Sequence, residues 1–422
     1  MSKTCIQNVR LYTGKQRIED AAILTDGARF LYAGAAKNCP PHEGARVIDG
    51  KHGIAMPGFY NAHTHAAMSL LRGVGSDLAL MDWLGQMGPY EAKFDGDAVY
   101  WGTQLAMMEM IRRGVVAFAD MYFHMDRVAQ AANESGMRAV LCRGCSDEQG
   151  VNSLVQLHQD WNGRGDGRIR IQMGLHAEYT STPNLVRYAV DNAQRFDTGF
   201  HTHISETARE HADCITRHGV TPARYFYDLG ALNEGTIAAH CVHLTDEDIE
   251  LMRISGASAA HNPASNMKLA SGFAPVQRML DQGINVCLGT DGAASNNMYD
   301  MFAEMRLAAL IAKGHSGDPT ALNGKDAIHM ATRAGAKAMG FQDAGLIQSG
   351  MLADLILLDG EAENLLPGHD PIADIVFAAQ GLNVRLTMVN GRILYQDGAF
   401  TTIDEQQVRT KFMEHAKLLS II

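Results

Sequence analysis

Histidines and an acidic residue recur in this chain at the ends of short apolar segments, in a combination that can bind a metal ion. His63 and His65 form a His-x-His pair. On an extended segment, residues at i and i+2 point to the same side, so both imidazoles can reach one ion. His203, His240 and Asp291 each close another apolar segment. Imidazoles combined with one carboxylate make a donor set that suits zinc or ferrous iron, so the pattern predicts one metal centre.

These residues lie at or near the ends of some of eight short apolar segments. Most of the segments are continuously apolar, as expected of strands buried on both faces of a parallel sheet. Helix-like stretches such as 98–113 and 222–229 lie between several of them. Eight alternations of strand and helix predict a closed (β/α)8 barrel, whose active site lies at the C-terminal ends of the strands. The predicted strands are residues 53–59, 115–122, 138–143, 169–176, 199–204, 236–242, 257–261 and 284–289.

The two ends of the chain have a different pattern. Short strand-like runs there are followed by Asp26-Gly27, Asp359-Gly360 and Asn390-Gly391, which are strong turn signals. We expect a small β-sandwich module built from both termini. Residues 1–55 would supply its N-terminal part, and residues 345–422 its C-terminal part and a helical tail. The metal-dependent barrel would occupy residues 56–344.

Composition limits the class of protein. Apolar residues make up 46% of the 422-residue chain, which is enough to bury a sizeable core. A net charge of -11 argues against a nucleic-acid partner, and no apolar run is long enough for a membrane span. Seven dispersed cysteines and an N-terminus without a signal-peptide core predict reduced thiols and a cytoplasmic location. A homo-oligomer is compatible with this composition.

Several stretches resemble the amidohydrolase superfamily, and within it the chain is most similar to the methylthioadenosine/S-adenosylhomocysteine deaminases, over nearly its whole length. The resemblance implies a metal-dependent hydrolase that acts on C–N bonds of cyclic amidines. The stretches that carry it are Pro57-Gly58-Phe59-Tyr60-Asn61-Ala62-His63-Thr64-His65, Ala239-His240-Cys241-Val242-His243, Ser265-Asn266-Met267-Lys268-Leu269 and Gly289-Thr290-Asp291-Gly292-Ala293-Ala294-Ser295-Asn296-Asn297.

The same resemblance implies a ligand set. His63, His65, His203 and Asp291 correspond to the metal ligands of the family. Binuclear relatives bridge two metals with a lysine on the fourth strand, and the predicted strand 169–176 has no lysine. We therefore expect one divalent cation per chain, with zinc favoured over ferrous iron.

Three residues correspond to the catalytic groups of the family: Glu206, His240 and Asp291. A divalent cation can lower the pKa of bound water to about 7. Asp291 and His240 would orient that water and take up its proton, while Glu206 would protonate N1 of a purine. Hydroxide would then add at C6 and ammonia would leave. Glu206 and Asp291 would therefore also contact the substrate.

Three further residues resemble groups that bind the rest of a nucleoside. Glu91 resembles a residue that contacts ribose hydroxyls, His176 a nucleoside-contacting histidine, and Arg143 one of two arginines that hold an amino-acid carboxylate. The segment after Arg143, residues 144–152, contains no second arginine. Methylthioadenosine and adenosine are therefore favoured over S-adenosylhomocysteine as substrates.

Other functions remain open. The metal pattern does not separate adenosine-type nucleosides from guanine, cytosine, an aminodeoxyfutalosine or an s-triazine. A ribosylated purine is favoured because a free base would leave Glu91, His176 and Arg143 without polar partners. The missing fourth-strand lysine counts against cyclic amide hydrolysis. Retention of the ligands together with Glu206 and His240 counts against a non-catalytic binding protein.

Overall fold

The computed structural model describes residues 3–420, which fold as a mixed α/β protein. The strands within this range are, in chain order, β1 (Thr4–Tyr12), β2 (Arg17–Asp26), β3 (Arg29–Ala35), β4 (Arg46–Asp49), β5 (Ile54–Pro57), β6 (Phe59–Thr64), β7 (Val115–Tyr122), β8 (Arg138–Arg143), β9 (Ile169–Ile171), β10 (Met173–Gly174), β11 (Phe200–Ile204), β12 (Thr236–His240), β13 (Ser258–His261), β14 (Val286–Leu288), β15 (Leu355–Leu358), β16 (Val384–Val389), β17 (Arg392–Gln396) and β18 (Ala399–Phe400).

Helices connect most of the inner strands and continue to the C-terminal tail. They are α1 (Leu80–Glu91), α2 (Gly96–Arg112), α3 (Met125–Ser135), α4 (Glu148–Trp161), α5 (Arg164–Gly167), α6 (Pro183–Arg195), α7 (Ala208–His218), α8 (Pro222–Asp228), α9 (Asp246–Ser255), α10 (Pro263–Lys268), α11 (Val276–Asp281), α12 (Met301–Ser316), α13 (Gly324–His329), α14 (Gly335–Ala338), α15 (Pro371–Ala373) and α16 (Glu405–Leu418).

The inner strands form two parallel sheets. One contains β6, β7, β8 and β9, and the other contains β10 to β14, each in sequence order. Every residue of β7 is buried, as expected of a strand that is covered on both faces. The prediction of parallel strands alternating with helices is confirmed. The predicted strand 169–176 divides at Gln172 into β9 and β10.

Strands from the two ends of the chain form a third, mixed sheet. Its order is β18-β17-β16-β15-β5-β1-β2-β3, with β4 paired to β1. At its centre, β5 pairs with β15 in antiparallel register, from Leu355 opposite Pro57 to Leu358 opposite Ile54. The strands from the two ends of the chain therefore meet in the sheet at this pair.

One predicted strand was wrong in its boundaries. The apolar segment 53–59 does not form the first inner strand; its residues Ile54–Pro57 belong to the terminal sheet, and the first inner strand is Phe59–Thr64. The break falls at Gly58, where an added Cβ would lie 2.2 Å from Cγ1 of Val116. This close approach lets the chain pass from one sheet to the other in a single residue.

A buried ion pair ties the terminal sheet to the inner strands. The guanidinium Nε of Arg138, on β8, lies 2.7 Å from Oδ2 of Asp354, and both side chains are almost fully buried. Asp354 also accepts hydrogen bonds from the Tyr60 hydroxyl and the Asn390 amide. The Arg138–Asp354 pair fixes the terminal sheet against the inner strands. Removal of either residue would leave an uncompensated buried charge.

Within residues 3–420, the helices fall short of what a bilayer-crossing segment requires in length or in apolar character.

Candidate active site

The strand-end histidines predicted from the sequence lie together in the structure. The ring centroids of His63 and His65 are 4.9 Å apart, and that of His203 is 4.9 Å from His63 and 5.5 Å from His65. Asp291 closes the group: its Oδ1 lies 3.2 Å from Nε2 of His65 and 3.6 Å from Nε2 of His63. His240 stacks on His203 with the centroids 5.4 Å apart.

Backbone carbonyls orient two of these imidazoles. Nδ1 of His65 lies 2.5 Å from the Met121 carbonyl oxygen, and Nδ1 of His203 lies 2.6 Å from the His176 carbonyl oxygen. Each Nδ1 therefore carries the proton and donates it. The lone pair of each ring is left on Nε2, directed at the cluster, which is the arrangement that metal-binding histidines require.

The donor set fits a divalent cation. Nε2 of His63 is buried and makes no hydrogen bond among the described residues, although it lies next to two other candidate ligands. Burial and the neighbouring histidines hold the pKa of His63 and of His203 well below the usual range, so both rings are neutral. Neutral imidazoles with an unused lone pair beside a carboxylate form a set of ligands for zinc or a similar cation.

Hydrogen bonds fix the Asp291 carboxylate. Its Oδ2 accepts from the hydroxyls of Ser265 and Ser295, at 2.6 and 2.9 Å, which leaves Oδ1 toward the histidines. Burial raises the pKa of Asp291, but His65, His240 and the hydrogen bonds outweigh it, so the pKa lies below the usual value. Asp291 itself has a left-handed φ of 61°. This uncommon backbone conformation aims the carboxylate into the site.

Glu206 faces the same cluster beside His240. Its Oε2 lies 3.6 Å from Nε2 of His240, whose Nδ1 lies 2.8 Å from the Asn266 side-chain oxygen. Burial, together with the charge of Asp291, raises the pKa of Glu206 to about 8. Glu206 is therefore a buried carboxyl group whose raised pKa favours the protonated form near neutral pH, and it lies beside His240 at the edge of the histidine cluster.

The segment carrying Glu206 is held by the start of α7. Thr207 caps the helix and accepts from the Glu210 amide, while the Glu210 carboxylate accepts from the amides of Ser205 and Glu206, at 3.1 and 2.7 Å. This reciprocal capping box fixes the backbone at the end of β11. The Ser-Glu-Thr sequence after His203 thus positions Glu206 through local hydrogen bonds.

A cavity of about 250 Å³ opens above the cluster. Eight of the nine predicted site residues line it; His63 lies fully buried beneath. Its polar wall includes Glu91, whose Oε1 accepts a hydrogen bond from the Tyr122 hydroxyl at 2.7 Å. Burial raises the pKa of Glu91 and lowers that of His176 to about 4. Both groups are thus largely buried polar side chains on the wall of the cavity.

The rest of the cavity lining has an apolar part and a basic part. Leu80 and Trp83, on α1, form the apolar side, on the same helix that ends at Glu91. Arg143 lies on the basic side, and its Nη1 lies 3.2 Å from the Ser153 hydroxyl. The sequence analysis did not find this apolar wall, because 80–84 carries no motif.

The sequence analysis also missed His201. This residue is fully buried on β11, and its Nε2 lies 2.9 Å from Nδ1 of His63. A signal was present: His201-Thr202-His203 repeats the spacing of His63-Thr64-His65, and alternate residues of a strand share a side. His201 lies two residues before His203 on the same strand and does not line the cavity. Its ring contacts that of His63, a candidate ligand.

Comparison with known proteins agrees with this geometry. The Amidohydrolase family matches residues 54–394. The 5-methylthioadenosine/S-adenosylhomocysteine deaminase of Pelotomaculum thermopropionicum is 44% identical over 406 residues, covering 94% of this chain and 93% of that protein. The same-named enzyme of Thermoanaerobacter pseudethanolicus is 40% identical over 426 residues, covering 98% of each. A crystal structure of a Xanthomonas campestris adenosine deaminase with bound zinc superposes with a TM-score of 0.95 at 31% identity, covering 100% of this chain and 99% of that one.

Proposed function

The chain belongs to the amidohydrolase family, and from that premise we propose that it hydrolytically deaminates adenosine-type nucleosides to the inosine analogue and ammonia. 5'-Methylthioadenosine, S-adenosylhomocysteine and adenosine are the candidate substrates. The observation that carries the proposal is the position of Glu206. It lies beside the histidine cluster, with Glu91 in the wall of the same cavity.

In this proposal His63, His65, His203 and Asp291 hold one divalent cation. Zinc is favoured, since three imidazoles and one carboxylate are ligands that zinc prefers, and the Xanthomonas campestris adenosine deaminase is described with bound zinc. When bound, the cation would make hydroxide available near neutral pH by lowering the pKa of water.

The chain's own residues would move the protons. Glu206, with its pKa near 8, delivers a proton to N1 of the purine, which makes C6 electrophilic. His240 and Asp291 accept the proton that the hydrolytic water loses as it attacks C6. The proton held by His240 and Asp291 then passes to the exocyclic amine, and the C6 hydroxyl returns a proton to Glu206 as ammonia leaves. One water is consumed, and the C6 amine is replaced by an oxo group.

Three residues would bind the rest of the nucleoside. The Glu91 carboxylate accepts hydrogen bonds from ribose hydroxyls, His176 contacts the nucleoside, and Arg143 meets a carboxylate on a longer 5' substituent. The apolar face formed by Leu80 and Trp83 suits a short thioether. Methylthioadenosine and adenosine are the favoured substrates. S-Adenosylhomocysteine carries a terminal carboxylate, and Arg143 would have to hold it without a second arginine.

We also propose that the two parallel sheets form one closed (β/α)8 barrel over residues 56–344. At one junction the Gln172 amide donates to the Leu141 carbonyl at 2.9 Å, and at the other the Asp291 amide donates to the His63 carbonyl at 2.9 Å. The terminal segments 1–55 and 345–422 would form a sandwich-like module. Apolar residues of its strands, such as Phe30 and Leu357, are buried in a core of their own.

A substrate panel tests the function. Purified enzyme, chelated and then reloaded with one equivalent of zinc, is assayed for ammonia release from methylthioadenosine, adenosine, S-adenosylhomocysteine, adenine, guanine and cytosine. We expect activity to follow zinc and to be highest with an adenosine derivative. Faster turnover of any free base, or full activity after chelation, contradicts the proposal.

A further inference from the structure

Two cysteines and a histidine lie together in the terminal sheet, outside the catalytic cavity. Cys5 is fully buried on β1, Cys39 follows a short 3-10 turn over Ala36–Asn38, and His42 lies three residues further on. One donor atom from each residue lies within 4.8 Å of those of the other two. All seven cysteines are free thiols, and Cys39 is the one among them that is not fully buried.

These separations are close to those of a metal site. In a tetrahedral zinc site with thiolate and imidazole ligands, neighbouring donor atoms are about 3.5–3.8 Å apart, given bond lengths of about 2.3 and 2.0 Å. Sγ of Cys39 lies 3.9 Å from Nδ1 of His42. The three donors need to move only slightly closer to share one ion, since every pair already lies within 4.8 Å.

The loop between two of the donors is stiff. Pro40 and Pro41 separate Cys39 from His42, and proline fixes its own φ, so the Cys-Pro-Pro-His segment has few conformations. Nδ1 of His42 lies 3.0 Å from the Pro40 carbonyl oxygen. A metal ion bound through Nδ1 would replace this hydrogen bond, with the imidazole proton on Nε2.

We propose that Cys5, Cys39 and His42 form a second metal site, for a thiophilic cation such as zinc or cuprous copper. Soft thiolate ligands select these ions, and each thiol releases its proton on binding. Cys39 and His42 are partly exposed, so a water molecule completes the coordination from the solvent side. The ion would fasten the segment around Cys39 to the buried strand β1, and its role is structural.

Cobalt substitution tests the site, because thiolate ligation produces a sulfur-to-metal charge-transfer band that imidazole and carboxylate ligands do not. The reduced, chelated full-length protein is titrated with Co²⁺. We expect two equivalents to bind and the charge-transfer band to accompany one of them. Cys39→Ser and His42→Gln should each lower the stoichiometry to one and Cys39→Ser should abolish or strongly weaken the band, while His52→Gln, at an exposed histidine nearby, leaves both unchanged.

The outcome is separable from the deaminase proposal. Cys39→Ser should retain ammonia release with its catalytic ion, since none of the three residues lines the cavity. The proposal is overturned if the wild-type protein shows no sulfur charge-transfer band, or if the band keeps its full intensity in Cys39→Ser. Recovery of a Cys5–Cys39 disulfide in place of two metal-binding thiols under reducing conditions would overturn it as well.

Discussion

Nδ1 of His63 lies 2.9 Å from Nε2 of His201, and both rings are fully buried. If Nε2 of His63 binds the metal, its Nδ1 must carry the proton, and His201 must accept it. His201 would then fix both the tautomer and the ring plane of His63, which no backbone carbonyl within residues 3–420 orients.

Replacing His201 should therefore weaken metal binding. We expect His201→Phe to lower zinc affinity by about 10–100-fold, the usual cost of losing a partner behind a metal ligand, measured by competition with a chromogenic chelator. His201→Gln, which keeps an acceptor, should recover part of the loss. His261→Phe is the control, since His261 is also buried and lies on β13, two strands away in the same sheet. Equal losses in the two Phe variants would show that His201 acts by packing alone.

Glu206→Gln should lower kcat by at least ~10²-fold while zinc content is unchanged, as expected for loss of a general acid. The amide keeps the shape but cannot deliver a proton. Glu178→Gln is a matched control, since Glu178 is also buried but pairs with Arg217 and His218 outside the cavity. It should lower stability and retain kcat. A metal-replete Glu206→Gln enzyme with wild-type turnover would refute the role.

Glu304 should make stability depend on pH. Burial raises its pKa from 4.5 to about 8, so the folded state holds a proton that the unfolded state has released over that range. Its contribution is therefore full below about pH 4.5 and is lost as the pH rises toward 8, by up to about 1.4 kcal/mol per pH unit. Urea unfolding at several pH values should show the unfolding free energy of wild type falling, as pH rises, relative to that of Glu304→Gln. A constant difference rules this out.

Glu91→Ala should remove much of the preference for nucleoside over base. An unpaired buried polar group costs about 1–3 kcal/mol, so kcat/KM for adenosine relative to adenine should fall at least ~5-fold, at unchanged zinc content. Tyr122→Phe, which removes only the hydroxyl that holds Glu91, should produce a smaller change in the same direction. An unaltered ratio in Glu91→Ala would mean that ribose is recognised elsewhere.

Arg143→Gln should affect substrates unequally. A hydrogen bond to a charged group contributes about 1.5–3 kcal/mol, so kcat/KM for S-adenosylhomocysteine should fall about 10-fold or more. Methylthioadenosine, which has no carboxylate, should change little. The ratio of the two substrates within one protein preparation is the measurement, and a parallel loss for both would argue for a general structural role.

Local signals in the sequence located most of the candidate site. His63, His65, His203 and Asp291 were identified because each ends an apolar strand, and strands of a parallel sheet end at the same edge. Their convergence in the structure follows from that rule. The roles assigned to them stay predictions, because proximity does not reveal which atom binds or moves a proton.

Other features depend on contacts that local patterns do not contain. The boundary at Gly58 was missed because Ile54–Pro57 and Phe59–Thr64 are separated by a single residue, and only their partners in space distinguish the two strands. Trp83 was missed as a cavity residue because an apolar residue on a helix has the same pattern whether it faces a core or a pocket. Asp354 gave no signal, since its partner Arg138 is more than 200 positions away.

The pairing of β5 with β15 can form only late in translation, because β15 is synthesised long after β5. Strands β1 to β3 can pair locally as they leave the ribosome, but β5 waits for a partner roughly 300 residues later. At about 5–20 residues per second, that delay is on the order of 15–60 s. Throughout it the apolar edge Ile-Ala-Met-Pro has one open side, which is the kind of surface that other unfinished chains can bind. The open edge of β5 is therefore exposed to pairing with other chains until Leu355–Leu358 emerges.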